Sequence, residues 1–216
     1  MFVEFYKKTS KSQGSEIAKR YFIDDMISSP KMGVEKSFDV TSMDMEKTLI
    51  GKGFIPSMIY TFLYNPTYKE TFNKIKFIDC IPIILCTSFQ SNGSVEGINF
   101  NLMPNNARAA LLDVIYDGFK QFYSETIYND EVAINNNMAN ILSHEDSLKK
   151  FLDIASSKNG VNFSNTVRRY NMQFISNARM IEYDMWKYIP FLSFSDSIRE
   201  ANLVSLQASI ISNDDK

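Results

Sequence analysis

From Gly53 to Pro104 the chain carries three short apolar runs, 58–64, 81–89 and 95–102, with prolines at positions 56, 82 and 104. Runs of this length, rich in Ile, Phe, Tyr and Leu and bounded by turn residues, read as strands rather than core helices. Met58-Ile59-Tyr60-Thr61-Phe62-Leu63-Tyr64 is apolar on both faces, which predicts a strand covered on both sides. Ile81-Pro82-Ile83-Ile84-Leu85-Cys86 is similar, but Pro82 cannot donate to a ladder and marks a strand start or an edge. In the third run Ile98, Phe100 and Leu102 alternate with Asn99 and Asn101, the period of a half-buried strand. Asn65-Pro66 turns the chain after the first strand, and Ser91-Asn92-Gly93-Ser94 makes a hairpin turn between the second and third.

Three or more short strands joined in this way suit a small curled sheet or an SH3-like barrel. Past Pro104 the apolar period becomes helical. Asn105 or Asn106 can cap a helix on which Leu111, Leu112, Ile115, Phe119 and Phe122 form a stripe. A weaker helix is expected over 131–142, where Asn135–Asn137 lowers the propensity. Ser143-His144-Glu145-Asp146 resembles a capping box and opens a helix carrying Leu148, Phe151, Leu152 and Ala155, which Lys158-Asn159-Gly160 ends. Phe163, Val167, Tyr170 and Phe174 give another helical stripe. A short extended piece over 179–183 then leads to a turn carrying Met185 and Trp186, broken by Pro190, and to a last helix over 195–206. The fold class is therefore α+β: a curled β module (51–104), a helical part packed on it (105–204), and extended N- and C-terminal arms (1–50 and 205–216).

The N-terminal 50 residues look unlike the rest. Lys7-Lys8-Thr9-Ser10-Lys11-Ser12-Gln13-Gly14-Ser15 is too poor in apolar groups to offset its ordering entropy alone, and is expected to be flexible. Residues 16–27 can form one short helix, with Ile17, Tyr21 and Asp24 or Asp25 at helical spacing, stopped by Ser28-Ser29-Pro30. The segment reads either as an arm that orders against a partner or as an irregular lid over its own domain. Phe2, Phe5, Tyr6, Tyr21 and Phe22 give it an aromatic excess that burial against another protein would explain.

At 216 residues the chain can build one well-cored domain, or a small domain with a helical appendage. A formal net charge of −2 lacks the strongly basic footprint of a dedicated nucleic-acid binder and leaves local basic patches open. Cys80 and Cys86 are the only cysteines. On one strand they would lie about 20 Å apart, beyond disulfide reach, and two buried free thiols suit a reducing compartment. Met1-Phe2-Val3-Glu4-Phe5-Tyr6 followed by Lys7 and Lys8 lacks the order of a secretory signal, and no apolar run approaches a bilayer span. The chain is expected to be soluble, at least until it assembles.

Candidate chemistry is sparse. His144 is the only histidine, so a multi-His metal site or a His-based nucleophile pair is not available, and a capping-region position suits it. Asp24-Asp25, Asp44 with Glu46, and Glu145-Asp146 lack a neighbouring metal motif or phosphate loop and read as solvated faces. Gly51-Lys52-Gly53 lacks the flanking Gly and the following Ser/Thr of a P-loop. Arg168-Arg169, with Arg179 and Lys187, is the one basic cluster in a folded-looking region, and Tyr170, Phe174 and Trp186 lie among these residues. It can clamp phosphates and stack bases, or serve a subunit interface, or simply be a solvated face around core aromatics. Neither a reaction nor a cofactor is indicated; a binding or building part is.

Two blocks carry a resemblance. Ile55-Pro56-Ser57 running on through Tyr64-Asn65-Pro66, then Phe77-Ile78-Asp79-Cys80-Ile81-Pro82-Ile83-Ile84-Leu85, then Gly97-Ile98-Asn99-Phe100-Asn101-Leu102-Met103-Pro104 form the first. The stretch 179–195 with Trp186 and Pro190-Phe191-Leu192 forms the second. Together they resemble a family of small virion-associated proteins of large tailed bacteriophages. That family shows a Tyr-rich first strand, an aspartate ahead of a Pro-containing apolar strand, and a Gly-apolar-Asn strand closing on proline. Relatives end that strand His-Tyr-Leu-Pro where this chain has Asn101-Leu102-Met103-Pro104, so a role tied to that His does not carry over. The resemblance implies a tail, neck (ring) or baseplate component made in the host cytoplasm and resident in the virion, bound to other virion proteins or to copies of itself. Its second implication is a DNA end protector, acting on genome ends or at the portal. The candidate contact residues are Phe2, Phe5 and Tyr6 for a protein partner and Arg168, Arg169, Arg179 and Lys187 for a partner or nucleic acid.

Overall fold

The computed structural model describes residues 1–33, 53–54, 56, 58–64, 80–90, 93–125, 153, 156, 163 and 166–193. These residues form an α+β arrangement in which helices pack on a five-stranded antiparallel sheet. The strands are β1 (Ile59–Tyr64), β2 (Ile83–Gln90), β3 (Ser94–Asn99), β4 (Val167–Asn171) and β5 (Ile175–Met180), in the order β4-β3-β2-β1-β5. β4 and β5 occupy opposite edges, yet only the 3-10 turn Met172–Phe174 separates them, so the sheet has to curl.

The all-apolar runs do cover both faces. Ile59, Leu63, Ile83, Leu85 and Ile98 point into a core shared with the helices. Tyr60, Phe62, Ile84, Cys86 and Val95 point the other way, into a second core completed by Phe54 and Tyr170. The second core is an edge-to-face aromatic stack: Phe62 lies 5.2 Å from Tyr170, which in turn lies 5.0 Å from Tyr64. Gly97 lets β3 approach β2, since a Cβ there would sit 2.7 Å from the Leu85 carbonyl oxygen. Thr87 is the extra residue of a bulge in β2, and its hydroxyl donates to the Glu96 carbonyl at 3.0 Å. Pro82 immediately precedes β2, in keeping with its reading as a strand start, and β2 is an interior strand.

Several sequence expectations change. The third apolar run stops being a strand at Asn99, where the Asn99 side chain accepts from the Asn101 amide and starts a 3-10 turn, Phe100–Leu102. Both asparagines are buried, not solvent-facing. Asn99 Nδ2 donates to the Tyr170 hydroxyl at 2.7 Å, and Asn101 Nδ2 to the Ile81 carbonyl at 2.9 Å. The helix expected from Phe163, Val167, Tyr170 and Phe174 is strand β4 plus the turn after it. Tyr170 and Val95 are register partners, and the second core, not a helical stripe, collects the tyrosine.

The polar stretch expected to be flexible is helical. α1 (Phe2–Lys8) and α2 (Lys11–Lys19) are followed by a π-helical turn, Arg20–Asp24, and by α3 (Asp25–Ser28). Phe2, Ala18, Phe22, Ile23 and Met26 belong to the core that also holds Ile59 and Ile98, so the N-terminal segment is a layer of its own domain. Its buried face is Gly14, Ala18 and Phe22, while Ile17 and Tyr21 are only half-buried. The wider π turn rotates the helix so that Phe22 and the adjacent Ile23 both face inward.

α4 (Asn105–Glu125) carries Leu111, Leu112 and Ile115 into the same core. The 3-10 segment Tyr183–Phe191 follows β5 and contains Pro190, which does not break it, because this tight helix runs past the proline to Phe191. Cys80 and Cys86 are free thiols, and burial pushes the Cys86 thiol up to about 12. No helix among the described residues is long and apolar enough to cross a membrane. The side chains of Phe119 and Phe122, and the helices expected over 131–142 and 195–206, lie outside the described residues. So does the helix opened at His144, except Asp153 and Ser156, which are helical.

Candidate interaction surface

α1 brings three of the candidate residues to one place. Phe2 is 2% exposed and packs edge-on against Tyr116 of α4 at 6.0 Å and Tyr183 at 6.1 Å. One turn later Phe5 meets Tyr188 at 5.7 Å, and Tyr6 meets Phe191 at 4.9 Å. The aromatic excess of this segment is thus spent largely within the chain, with Phe5 and Tyr6 left half-buried at the rim. Lys187 joins them, its Nζ 5.7 Å from the Phe5 ring centre and 5.3 Å from that of Tyr188.

Polar groups fix this layer. The carboxylate of Asp113 on α4 accepts from the Phe2 amide at 2.6 Å and the Val3 amide at 3.1 Å, and pairs with the Met1 ammonium at 2.9 Å. It satisfies the free amides that open α1, as a capping side chain would. Partial burial tends to raise its pKa, but the ammonium and the two amides outweigh that and hold the carboxyl below the usual carboxylate range. α2 is pressed onto the 3-10 segment at Gly14, where a Cβ would come within 2.2 Å of the Phe191 ring, and Ser15 Oγ donates to the Phe191 carbonyl at 3.0 Å.

Arg108 secures the far end of that segment. It is 1% exposed, and its guanidinium donates to the carbonyls of Met103 (3.0 Å), Ile189 (3.3 Å) and Leu192 (2.6 Å). A buried cation at the carbonyl end of a helix meets its partial negative charge. Arg108, Asp113 and Gly14 were invisible as sites from sequence. The only signal was the small-residue spacing Gly14-x3-Ala18, since single charged residues in a helix read as solvated.

The basic candidates do not form one cluster. Arg168 and Arg169 are adjacent and exposed on the edge strand β4. Arg169 forms an ion pair with Glu96 on β3 at 2.9 Å. Arg179, on the opposite edge strand, donates to the Ser29 hydroxyl and to the Asp25 carbonyl (3.3 Å). Beside it Asn177 is buried with φ +51° and supplies the extra residue of a bulge in β5. Its Oδ1 accepts from the Met32 amide at 2.6 Å, so residues 29–33 lie along the β5 edge. Arginines on an exposed edge and a segment covering the other edge both discourage unwanted strand pairing.

At the start of the 3-10 segment Tyr183 is 45% exposed and stacks on Tyr116 at 5.9 Å. Burial first, then the neighbouring Tyr116 and Asp113, push its hydroxyl up to about 12. Burial, then the charge of Glu182, also raises Tyr21. Among the described residues no three His, Cys, Asp or Glu side chains gather as metal ligands. His144, Asp44, Glu46, Glu145, Asp146 and Gly51-Lys52 lie outside the described residues. Neither a protein-family model, nor a curated protein, nor a solved structure matches the chain.

Proposed function

We propose that the chain is a structural subunit of a tailed-phage virion, in the tail, neck or baseplate, assembling through protein–protein contacts and needing no cofactor. One observation carries the reading: the two blocks that resemble the virion-associated family, far apart in sequence, pack into one unit. The Ile181 amide donates to the Ile59 carbonyl at 2.8 Å, and Trp186 Nε1 donates to the Ile181 carbonyl at 3.0 Å. Ile59, Ile83, Phe100, Met103, Trp186 and Phe191 share one core. The sheet supports the finer reading as an SH3-like barrel through its β1-to-β4 meander, the return of β5 beside β1, and the 3-10 turn joining β4 to β5.

Action on DNA at genome ends has less support, because Arg169 and Arg179 already hold partners and the four basic residues fall on three separate elements. It would require salt-dependent affinity lost on charge reversal at Arg168, Arg169, Arg179 and Lys187. The subunit reading is tested by mass spectrometry of purified particles together with light scattering of the purified full chain. Presence in the particle and an oligomer or stable complex are expected. A monodisperse monomer that is missing from particles would overturn the reading.

A further inference from the structure

The N-terminal layer is gripped by residues that lie far along the chain. Residues 1–33 are continuous, and the next described residue is Gly53. Four grips on the layer come from beyond that connection. The Phe191 ring receives α2 at Gly14, where a side chain would not fit. Asp113 accepts from the amides of Phe2 and Val3. The Asn177 amide donates to the Met32 carbonyl at 2.9 Å, and its Oδ1 accepts from the Met32 amide at 2.6 Å. Arg179 donates to the Asp25 carbonyl and the Ser29 hydroxyl. Three of these grips read main-chain groups and one requires a glycine, at fixed spacings, so together they are fitted to this segment and not to helices in general.

The connection is longer than the path it has to cover. Gly33 is bridged to Ser176, and Ser176 pairs with Leu63 on its other side, so two strand spacings, about 10 Å, separate Gly33 from Leu63. Tyr60 lies about 10 Å back along β1, and its ring is 4.8 Å from that of Phe54. Residues 34–52 thus bridge a gap on the order of 20 Å, whereas a chain of about 19 residues can reach about 65 Å. The excess is enough to carry the layer across to a neighbouring copy.

We propose that copies of this chain exchange their N-terminal layers, residues 1–33 of one copy docking on the sheet, α4 and the 183–191 segment of the next. The proposal rests on the subunit reading and names the contact through which the subunits meet. The partner is a second copy, because it presents the glycine, the amides and the serine at the spacings that Phe191, Asp113, Asn177 and Arg179 read. Every contact of the exchanged form is one that a single chain already makes, so concentration decides between the two forms. A layer tethered to its own sheet experiences an effective concentration in the millimolar range, and copies held side by side in a particle compete on that scale. Exchange is either reciprocal within a pair or passed from copy to copy around a closed ring.

The bridge between Gly33 and Ser176 supplies the test. Partners across an antiparallel pair have Cα atoms about 4.5–5.5 Å apart, within disulfide reach. A Cβ at Gly33 meets nothing within 4 Å, and Ser176 is half-buried, so the full-length variant G33C/S176C should fold as the parent does. The variant is held at about 1 mM and at about 1 μM, on either side of the concentration that a short tether provides, and then mildly oxidised. Disulfide-linked copies at the higher concentration, at least tenfold fewer at the lower, and links within one chain in their place are expected. Sedimentation of the wild-type chain should show the same concentration dependence without any engineered thiol. G33C and S176C alone control for linkage through Cys80 or by surface collision, and linkage as extensive with either would overturn the proposal. Oligomers that carry only links within a chain would overturn the exchange and leave the virion-subunit reading standing. A wild-type chain still monomeric at about 1 mM would overturn the exchange, and its absence from purified particles as well would overturn both.

Discussion

The two faces of the sheet are closed by different means. The inner face, that of the second core, is filled by Phe54, Tyr60, Phe62 and Tyr170, all contributed by the strands and their immediate flanks, in a stack to which no α-helix among the described residues contributes a buried side chain. The outer face is aliphatic, with Ile59, Ile83, Leu85 and Ile98, and is closed only when helices from the N-terminal 28 residues, α4 and the 183–191 segment converge on it. Apolar burial drives both closures, at about 1.5–3 kcal/mol for each large side chain fully buried. Position is set differently. On the inner face ring geometry sets it, and on the outer face a few polar or glycine contacts set it: Asp113 with α1, Gly14 with Phe191, Arg108 with the last carbonyls of the 3-10 segment.

If that contrast holds, the largest loss belongs to Arg108. Arg108→Met removes three charge-assisted bonds to buried carbonyls and should cost about 3 kcal/mol or more, since each bond to a charged donor contributes about 1.5–3 kcal/mol. Urea unfolding measures it, and R108K is expected to recover part of the loss. A cost under about 1 kcal/mol would mean that Arg108 is not what fixes the segment.

Asn177→Ala comes next, with about 2 kcal/mol expected. A left-handed backbone costs a non-glycine residue about 1–2 kcal/mol, and the bond to the Met32 amide adds about 1 kcal/mol. N177G, which keeps the backbone and loses only the side chain, should cost about half as much by the same thermal or urea measurement. Equal losses would show that the backbone conformation is not at issue.

Gly14→Ala gains roughly 1 kcal/mol of helix propensity but drives a methyl group into Phe191, an overpacking that costs about 1–3 kcal/mol. A net loss with faster hydrogen exchange in α1 and α2, and unchanged exchange in β2, is expected. A stabilised variant would place α2 away from that ring.

Asp113→Ala should remove about 1 kcal/mol, as the loss of a helix cap does. The carboxyl is held below its usual range in the folded chain, so its stabilisation is complete above the ordinary carboxylate pKa of about 4. It is lost as the pH falls through the folded value. The variant and the parent should accordingly converge in stability at strongly acid pH and separate above about pH 4. A difference that grows on acidification would contradict this.

The smallest effect is on the sheet edge, where Arg169→Ala breaks an exposed pair with Glu96 for about 0–1 kcal/mol.

The same contrast explains what the sequence disclosed. β1 and the first half of β2 are legible because apolar residues fall on both faces, and only a strand covered on both sides tolerates that. The stripe of Leu111, Leu112 and Ile115 likewise named α4. β4 was hidden because its pattern, Val-Arg-Arg-Tyr-Asn, is that of an edge strand with one inward tyrosine, and the spacing to Phe174 mimics a helix. α2 was hidden for a different reason. Its contact with the core is made by Gly14 and Ala18, which contribute almost no hydrophobic signal, and its burial depends on Phe191 from the other end of the sequence. Arg179 and Lys187, neighbours of Arg168-Arg169 in the chain, are separated once β4 and β5 take opposite edges.

The central claim is that the N-terminal helices are an integral layer of the domain and not an arm awaiting a partner. Hydrogen exchange of the full chain, read at the amides from Ala18 to Met26 and compared with those of Ile84 to Cys86 in β2, tests it most directly. Comparable slow exchange in both segments, at concentrations where the chain is monomeric, is the result expected. Exchange of the helical amides near the rate of an unstructured peptide, with β2 still protected, would contradict it.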